Sequence, residues 1–514
     1  MAAHRLVDHL AYTDAQRLCS RDALWELFDG DRDRLNIAHE CLDRHPRDRV
    51  AIRIARGDGR IESYSFGTVS DLASRTANWL AGRGIGAGER VAIMLEPSLE
   101  FYATLFGVMK AGAVAVPLFT AFGPDGLAAR LADCSASLLI LAPGLGRLAG
   151  TCGVTTVLAD DGLLAELGRR DAVFAAATAA DDMALFQYTS GTSRAMPEAV
   201  RHRHRAVVTV MIAALYATGV RPGDRFLCPS SPAWGHGLWH GTIAPLALGV
   251  EITGWAGKFD PDRLLDVIER LGVTTLSAAA THYRMMRTRS RAARRSFAVR
   301  KLSFTGEPVD AATTAWAGRT FGTDLCSIYG TTEVGVIIAD YPGADDHEVR
   351  PGALGRPLPG CEVSVRDRDG AACPVGAVGE IAVRRSGAWV GVRDLGRMDA
   401  DGYFYHLGRA DDVILSAGWT LSAIEIEDVL LHHPDIEEAA AIGVPDPERG
   451  QAVAVFIVTR RAGEDGLAEE VSGFVADRLG RHARPRRVDC VVDLPKTPAG
   501  KVNRRVLRER EAAA

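Results

Sequence analysis

The sequence predicts an α/β protein with a large N-terminal domain of α/β subdomains, a short β-rich subdomain behind it, and a small α+β C-terminal domain. Three observations carry this prediction. Amphipathic helices alternate with short apolar strands through the first two thirds of the chain, the pattern of parallel pairing. After Glu348 the texture changes to short alternating strands joined by Gly/Asp turns. From Ile424 a new helix–strand pattern begins and runs to the end.

Each element follows from a local pattern. Asp71 to Leu80 has helical periodicity, and "AGRGIGAGERVAIML" then gives a glycine-rich turn and a buried strand over Val91 to Leu95. Those glycines follow a helix and precede a strand, the reverse of a dinucleotide fingerprint, so they predict a plain turn. Tyr102 to Phe119 is apolar, but Lys110 and Pro117 interrupt it, which predicts a buried helix and strand in place of a membrane span. Strands are predicted at "SLLILA" (137–142), "RFLCPS" (225–230) and "TTLSAA" (274–279), with a helix over Asp262 to Leu271 between the last two. "GCEVSVRDRDG" and "VGEIAVRR" are the alternating strands of the β-rich part. A boundary near "GRADDV" (408–413) divides the chain into 1–408 and 409–514.

Composition narrows the function classes. The chain has 514 residues, 47% apolar and 24% charged, a soluble globular balance. A formal charge of -5 gives no reason to expect nucleic acid or an acidic membrane. The N-terminus "MAAHRLVDHLAYTDAQ" has charges throughout and no apolar signal core. Nine scattered cysteines without C-x-x-C predict reduced thiols in the cytoplasm, without disulfides or a zinc site. The cluster Arg287, Arg289, Arg291, Arg294, Arg295, Arg300 and Lys301 reads as a solvated surface loop. His202-x-His204 has metal-like spacing without a third ligand, and reads as a basic loop leading into a helix from Ala206.

Four segments can carry chemistry. "YTSGTSRAMPEAV", Tyr188 to Val200, offers backbone N–H groups and hydroxyls in a phosphate-cradling loop. "SIYGTTEVG", Ser327 to Gly335, is read as following a strand; Tyr329 can stack on a base, Thr332 can bond a phosphate and Glu333 can hold Mg²⁺. "GRADDVILSAGWTL" places Arg409 and paired acids in a loop. "PKTPAGKVNRR" puts Lys501, one of only five lysines, after a Pro/Gly turn.

In this order and spacing the four segments resemble the adenylate-forming superfamily of acyl-CoA synthetases, luciferases and peptide-synthetase adenylation domains. Its members carry T-S-G-T-T-G-x-P-K-G, then Y-G-x-T-E, then G-R-x-D-D, then P-x-x-x-x-G-K. "NIAHECLDRH" (36–45) and "SPAWGHGLWHG" (231–241) look most like the acetyl- and medium-chain acyl-CoA synthetase branch. The resemblance implies a mobile C-terminal domain turning about Asp411. It implies an AMP site of Thr189, Ser190, Gly191, Thr192, Gly306, Glu307, Pro308, Tyr329, Gly330, Thr331, Thr332, Asp394 and Arg409. Lys501, Thr332 and Glu333 would be catalytic, Glu333 through Mg²⁺ where ATP is used. Trp234, His236 and Gly330 would form the acyl pocket, and Trp234 with Gly418 the tunnel for CoA. Acetate-specific members put a Trp where Gly330 stands, which implies a larger acid here.

The chain also departs from that pattern. Thr189 to Pro197 is nine residues where the family has eight. Arg194 replaces a Gly, Glu198 the Lys and Ala199 the next Gly, and Thr420 stands for a usual Arg. A lost charge-assisted phosphate contact costs on the order of 1.5–3 kcal/mol. These losses fall on the β- and γ-phosphates, which an acyl-adenylate lacks. The expected function is therefore transfer of a bulky acyl group from acyl-AMP to CoA, with ATP-dependent adenylation weak or lost. A separate ligase would supply the acyl-AMP, as with the similar non-adenylating acyl-CoA ligases of platensimycin-type diterpenoid pathways. Two alternatives stand beside it: a complete two-step synthetase taking carboxylic acid, ATP, Mg²⁺ and CoA, with Arg194, Arg201 or Arg203 supplying the charge, and a non-catalytic adenylate-binding protein.

Overall fold

The computed structural model describes residues 6–150, 153–188, 199–290, 295–331, 334–409, 413–416, 419–446, 450–461, 466–496 and 502–512. The chain divides into two compact units. One comprises residues 1–306, 313–349 and 358–360, the other 307–312, 350–357 and 361–514. The expected division at 408/409 falls inside the second unit.

In the first unit one path of strands runs Gly335–Ala339, Leu325–Thr331, Lys301–Thr305, Thr275–Ala279, Arg225–Cys228, Glu251–Ala256, Val50–Arg56, Ile61–Ser65. Leu325–Thr331 through Val50–Arg56 pair in parallel, and the outer strand at each end is antiparallel. A second sheet runs Thr156–Leu158, Leu138–Leu141, Arg90–Met94, Val114–Pro117, Met183–Tyr188, Ala199–Arg203. Apolar runs such as Val114–Pro117, Leu138–Leu141 and Thr275–Ala279 become strands buried on both faces.

Helix starts sit where caps place them. Ser65 accepts from Thr68 N at 3.1 Å and starts Phe66–Ala81, five residues earlier than the periodicity predicts. Asp260 caps Pro261–Leu271 through Arg263 N, with Pro261 in the first turn and Gly272 in the left-handed region at φ 56° behind it. A cap contributes about 1 kcal/mol, less than one fully buried Leu or Ile at about 1.5–3 kcal/mol. Burial of Leu264, Leu265 and Ile268 therefore sets which face turns inward.

The apolar stretch around Lys110 folds as expected, into Leu99–Lys110 and Val114–Pro117. Lys110 is buried, and its Nζ donates to Asp43 at 2.7 Å and Ser74 at 2.9 Å. Among the described residues, no helix is long and apolar enough to cross a membrane. The eight described cysteines are free thiols.

In the second unit, Val363–Arg366, Gly379–Arg385, Ala388–Met398, Phe404–Arg409 and Ala353–Pro357 form an antiparallel sheet in that order. A further sheet runs Trp419–Ser422, Val413–Ser416, Gly450–Thr459, Ile436–Asp446, with Arg487–Cys490 pairing Gly450–Thr459. Its central strands are covered twice. Ala439, Ala441, Val453, Val455 and Ile457 pack with Ile426, Leu430, Val471 and Val475. Ala440, Ile442, Ala454 and Phe456 pack with Leu494 and Leu507. The period of two sends alternate residues to opposite cores.

Three expectations need correction. The basic stretch 201–203 is part of a strand, because Arg201, His202 and Arg203 pair with Phe186, Leu185 and Met183, with a register shift between the last two. Ser327 to Thr331 lie within a strand instead of after one, since Tyr329 pairs Ile338. Much of the segment read as a loop around Arg409 is strand: Arg409 ends Phe404–Arg409, and Val413–Ser416 pairs Trp419–Ser422.

Candidate active site

The strands Met183–Tyr188 and Ala199–Arg203 form an antiparallel hairpin with Tyr188 opposite Ala199. Residues 189–198 join them and lie outside the described residues, Thr189, Ser190, Gly191, Thr192, Arg194 and Glu198 among them. One hairpin face packs Phe186, Tyr188 and Ala199 against Leu131, Leu139 and Leu141. The Tyr188 hydroxyl meets the Asp133 carboxylate at 2.6 Å and the Arg130 carbonyl at 2.9 Å. Burial first, then the Asp133 hydrogen bond, pushes the phenol's pKa up. The opposite face holds Gln187 and His202 against Trp239, whose Nε1 donates to Gln187 Oε1 at 3.1 Å while the His202 ring lies 4.9 Å away.

The cations on this hairpin differ in availability. Arg203 meets Asp181 at 3.0 Å and Arg205 meets it at 2.8 Å. Arg203 also lies four residues from Ala199, about 13 Å along an extended strand. Arg201 is exposed, its guanidinium 5.1 Å from the Phe186 ring. Of the basic cluster farther on, Arg287 donates to Thr313, Arg295 pairs Asp266, and Lys301 pairs Asp224 at 2.6 Å.

The parallel strands ending at Cys228, Ala279 and Thr305, with Leu325–Thr331 beside them, bring their C-terminal ends to one edge, where open α/β sheets bind ligands. Gly306 directly follows one strand at φ 105°, a conformation that favours glycine. Tyr329, Gly330 and Thr331 end another, with a register shift between Tyr329 and Gly330. A Cβ on Gly330 would lie 2.0 Å from the Gly335 carbonyl oxygen and 2.6 Å from Val336 Cα. The direction in which a side chain would leave residue 330 is filled by backbone, so a Trp there requires the hairpin itself to shift. Thr332 and Glu333 lie outside the described residues. Among those described, no group of three or more His, Cys, Asp or Glu could hold a metal ion.

Trp234 and His236 follow the strand Arg225–Cys228, and their rings meet edge-on at 5.4 Å. His236 begins a π-helical turn, His236–Ile243. Its Nδ1 lies 3.0 Å from Ser230 Oγ and its Nε2 2.8 Å from Ser277 Oγ. Ser303 Oγ donates to Ser277 Oγ at 2.8 Å, the two serines being opposite in register on adjacent parallel strands. All four residues are buried. Burial, reinforced by His240 and His282, lowers the His236 pKa well below the usual imidazole value. Burial alone brings His240 and His282 to about 4.

In the second unit Asp394 stands opposite Arg409 in register. Asp394 is buried, and His406 Nε2 lies 3.6 Å from its carboxylate. Glu307 and Pro308 precede the helix Ala311–Phe321. Thr420 pairs Leu415 across a hairpin. Asp411, Gly418 and Lys501 lie outside the described residues. A bridge joins Lys496 and Val502, and Lys496 itself is held by Glu438 at 2.8 Å. The sequence left Gln187, Trp239, Ser230, Ser277 and Ser303 unremarked. Its only signal for the last two was the shared Leu-Ser pair in "TTLSAA" and "KLSFT".

The chain belongs to the AMP-binding enzymes, in their acyl-CoA synthetase branch: the family model for an AMP-binding enzyme matches residues 38–391, and that for the AMP-binding enzyme C-terminal domain matches 425–501. It is similar to the acetyl-coenzyme A synthetase of Bacillus subtilis (strain 168), 30% identical over 92% of this chain and 90% of the relative. Among solved structures, an acyl-CoA synthetase of Brucella canis has a TM-score of 0.77 and 31% identity, covering 98% of this chain and 99% of the other. An anthranilate CoA ligase in complex with anthranoyl-AMP reaches a TM-score of 0.84 at 25% identity, covering 95% and 99%.

Proposed function

We propose that this acyl-CoA ligase transfers a bulky acyl group from an acyl-adenylate to CoA, and that its own ATP-dependent adenylation is weak or lost. The observation that carries the proposal is the reversal at Glu198 within a lengthened loop, coupled to the state of the neighbouring cations. Arg203 faces Asp181 well down the hairpin and is poorly placed to stand in for the missing lysine. Ala199, where the family has Gly, is packed into the hairpin opposite Tyr188, which ties the loop's end to a fixed strand.

In the transfer, the CoA sulfur forms a bond to the acyl carbonyl carbon. The bond from that carbon to the phosphate oxygen breaks, AMP leaves with the electron pair, and the thiol proton passes to solvent. A thiol of pKa about 8.5 is sufficiently ionised to need little help. Placement of the two reactants is the protein's main contribution. Gly306, Tyr329, Asp394 and Arg409 hold the adenylate, Trp234 and His236 the acyl group, and Gly418 lines the CoA path. Residues 409–514 turn about Asp411 between steps.

A second reading is favoured by one residue. Arg201 is exposed and two residues from Ala199, within reach of the loop's end, and arginine binds phosphate well. With Arg201 in the lysine's place the protein is a complete synthetase using ATP and Mg²⁺. The discriminating experiment is ATP–pyrophosphate exchange across a panel of carboxylic acids, beside thioester formation from synthetic acyl-AMPs and CoA. Transfer without exchange supports the first reading. Brisk exchange that Arg201→Ala abolishes establishes the second.

A further inference from the structure

We infer that Ser277 and Ser303 are positioning residues that lock His236 with both ring nitrogens occupied, so that the acyl side of the site takes an uncharged, hydrophobic acyl body. The inference rests on Trp234 and His236 lying beside the acyl group.

The geometry fixes a direction. Ser303 Oγ is the donor to Ser277 Oγ. Ser277 thus receives a hydrogen, and its own is directed to His236 Nε2, 2.8 Å away. Nε2 is then the acceptor and Nδ1 carries the ring proton, toward Ser230 Oγ at 3.0 Å, with Cys228 Sγ 3.7 Å from the same nitrogen. A protonated ring would donate from both nitrogens and need an acceptor beside each. Ser277 would then accept from both the ring and Ser303, and its own hydrogen would lose its acceptor in a site where Ser277 and Ser303 are fully buried.

Chemical consequences follow for the ligand. A histidine with both nitrogens committed offers a substrate only ring faces and C–H edges. Neighbouring rings extend that surface: Trp234 at 5.4 Å and His240 at 6.1 Å. A second carboxylate on the acyl body would find no cation in the His236 ring and would lose its water shell. A phenyl or polycyclic body meets aromatic edges at favourable distances.

The test uses the full-length protein with 3-phenylpropionyl-adenylate and succinyl-adenylate, similar in length and differing in terminal group. CoA thioester formation gives kcat/KM for each. The wild type is expected to prefer the phenyl compound by a hundredfold or more, about 2.7 kcal/mol. Ser277→Ala, which frees Nε2 to turn or protonate, is expected to reduce that preference about tenfold with AMP affinity within twofold of wild type. Ser303→Ala removes only the upstream donor and shifts the preference the same way by a smaller factor, so it serves where Ser277→Ala folds poorly. The ¹⁵N spectrum of His236 should show Nδ1–H and an unprotonated Nε2 in the wild type. A wild-type preference for succinyl, a ratio moved less than threefold by Ser277→Ala, or an Nε2–H ring overturns the inference. Supplying adenylates makes the result independent of whether the protein adenylates. Were every adenylate inert with wild type, the ligase reading would fail while the ring's ¹⁵N spectrum still decided the serine chain.

Discussion

Gly330→Ala is a small perturbation with a large expected effect. The added Cβ would lie 2.0 Å from the Gly335 carbonyl oxygen, with Val336 Cα at 2.6 Å. Ordinary non-bonded contact begins at about 3.2–3.5 Å, so the paired strands must separate by about 1 Å or more. The obstacle is backbone of the adjacent strand, so a rotamer change cannot relieve it. Overpacking of this kind costs about 1–3 kcal/mol of stability, and the protein should still fold. Tyr329 precedes the substituted residue on the same strand and moves with it. A displacement near 1 Å at a reacting centre lowers rate by about a hundredfold. The assay is kcat/KM for acyl transfer from the best acyl-AMP of a panel, read beside AMP affinity and thermal unfolding. Loss should fall on all acyl-AMPs alike. Gly330→Trp should behave the same way more severely, in place of the selective exclusion of bulky acids that pocket filling alone predicts. Activity within threefold of wild type in Gly330→Ala, or a loss confined to bulky acyl groups, would refute the reasoning.

Three further outcomes are expected. Lys501→Ala should leave acyl transfer from acyl-AMP to CoA within about tenfold, or 1.4 kcal/mol, since the resemblance brings Lys501 to the site only for adenylation; a larger loss in a transfer assay contradicts that role. Gly418→Leu should bind acyl-AMP normally in equilibrium titration yet lose CoA transfer, and normal turnover would place the pantetheine path elsewhere. Burial holds the His204 pKa at about 4, and Ile37 N donates to its Nδ1 at 3.1 Å. An unfolded histidine titrates near 6.5, so the unfolded chain binds more protons between those values and stability falls with falling pH. The loss from pH 7 to pH 5 is about 2 kcal/mol for this residue. His204→Asn should remove that share of the acid slope in urea unfolding; an unchanged slope counts against it.

The sequence by itself determined the class of this protein and most of its elements. Apolar strands such as "SLLILA" and the periodic helix at 262–271 need no partner to be recognised, because their patterns are set by burial on two faces or one. The four ordered motifs determined the family, since glycines, hydroxyls and charges at fixed spacing have a local chemical reason to be there. Asp394 and Arg409 were named as neighbours from motifs alone, and strand register sets them opposite each other.

Only the tertiary structure decided what depends on register and approach. The run "RHRHR" is polar and basic, and nothing local says that it pairs with Met183–Tyr188 or that Asp181 occupies Arg203. The gap left by a missing indole at Gly330 looked like space, but the adjacent strand fills the direction a side chain would take. Ser277 and Ser303 sit 26 residues apart in apolar strands where a lone serine carries no signal. Parallel pairing aligns them, and a turn more than 30 residues upstream brings His236 onto them. Hydrogen bonds between distant residues are set by how strands stack, which no short window of sequence records.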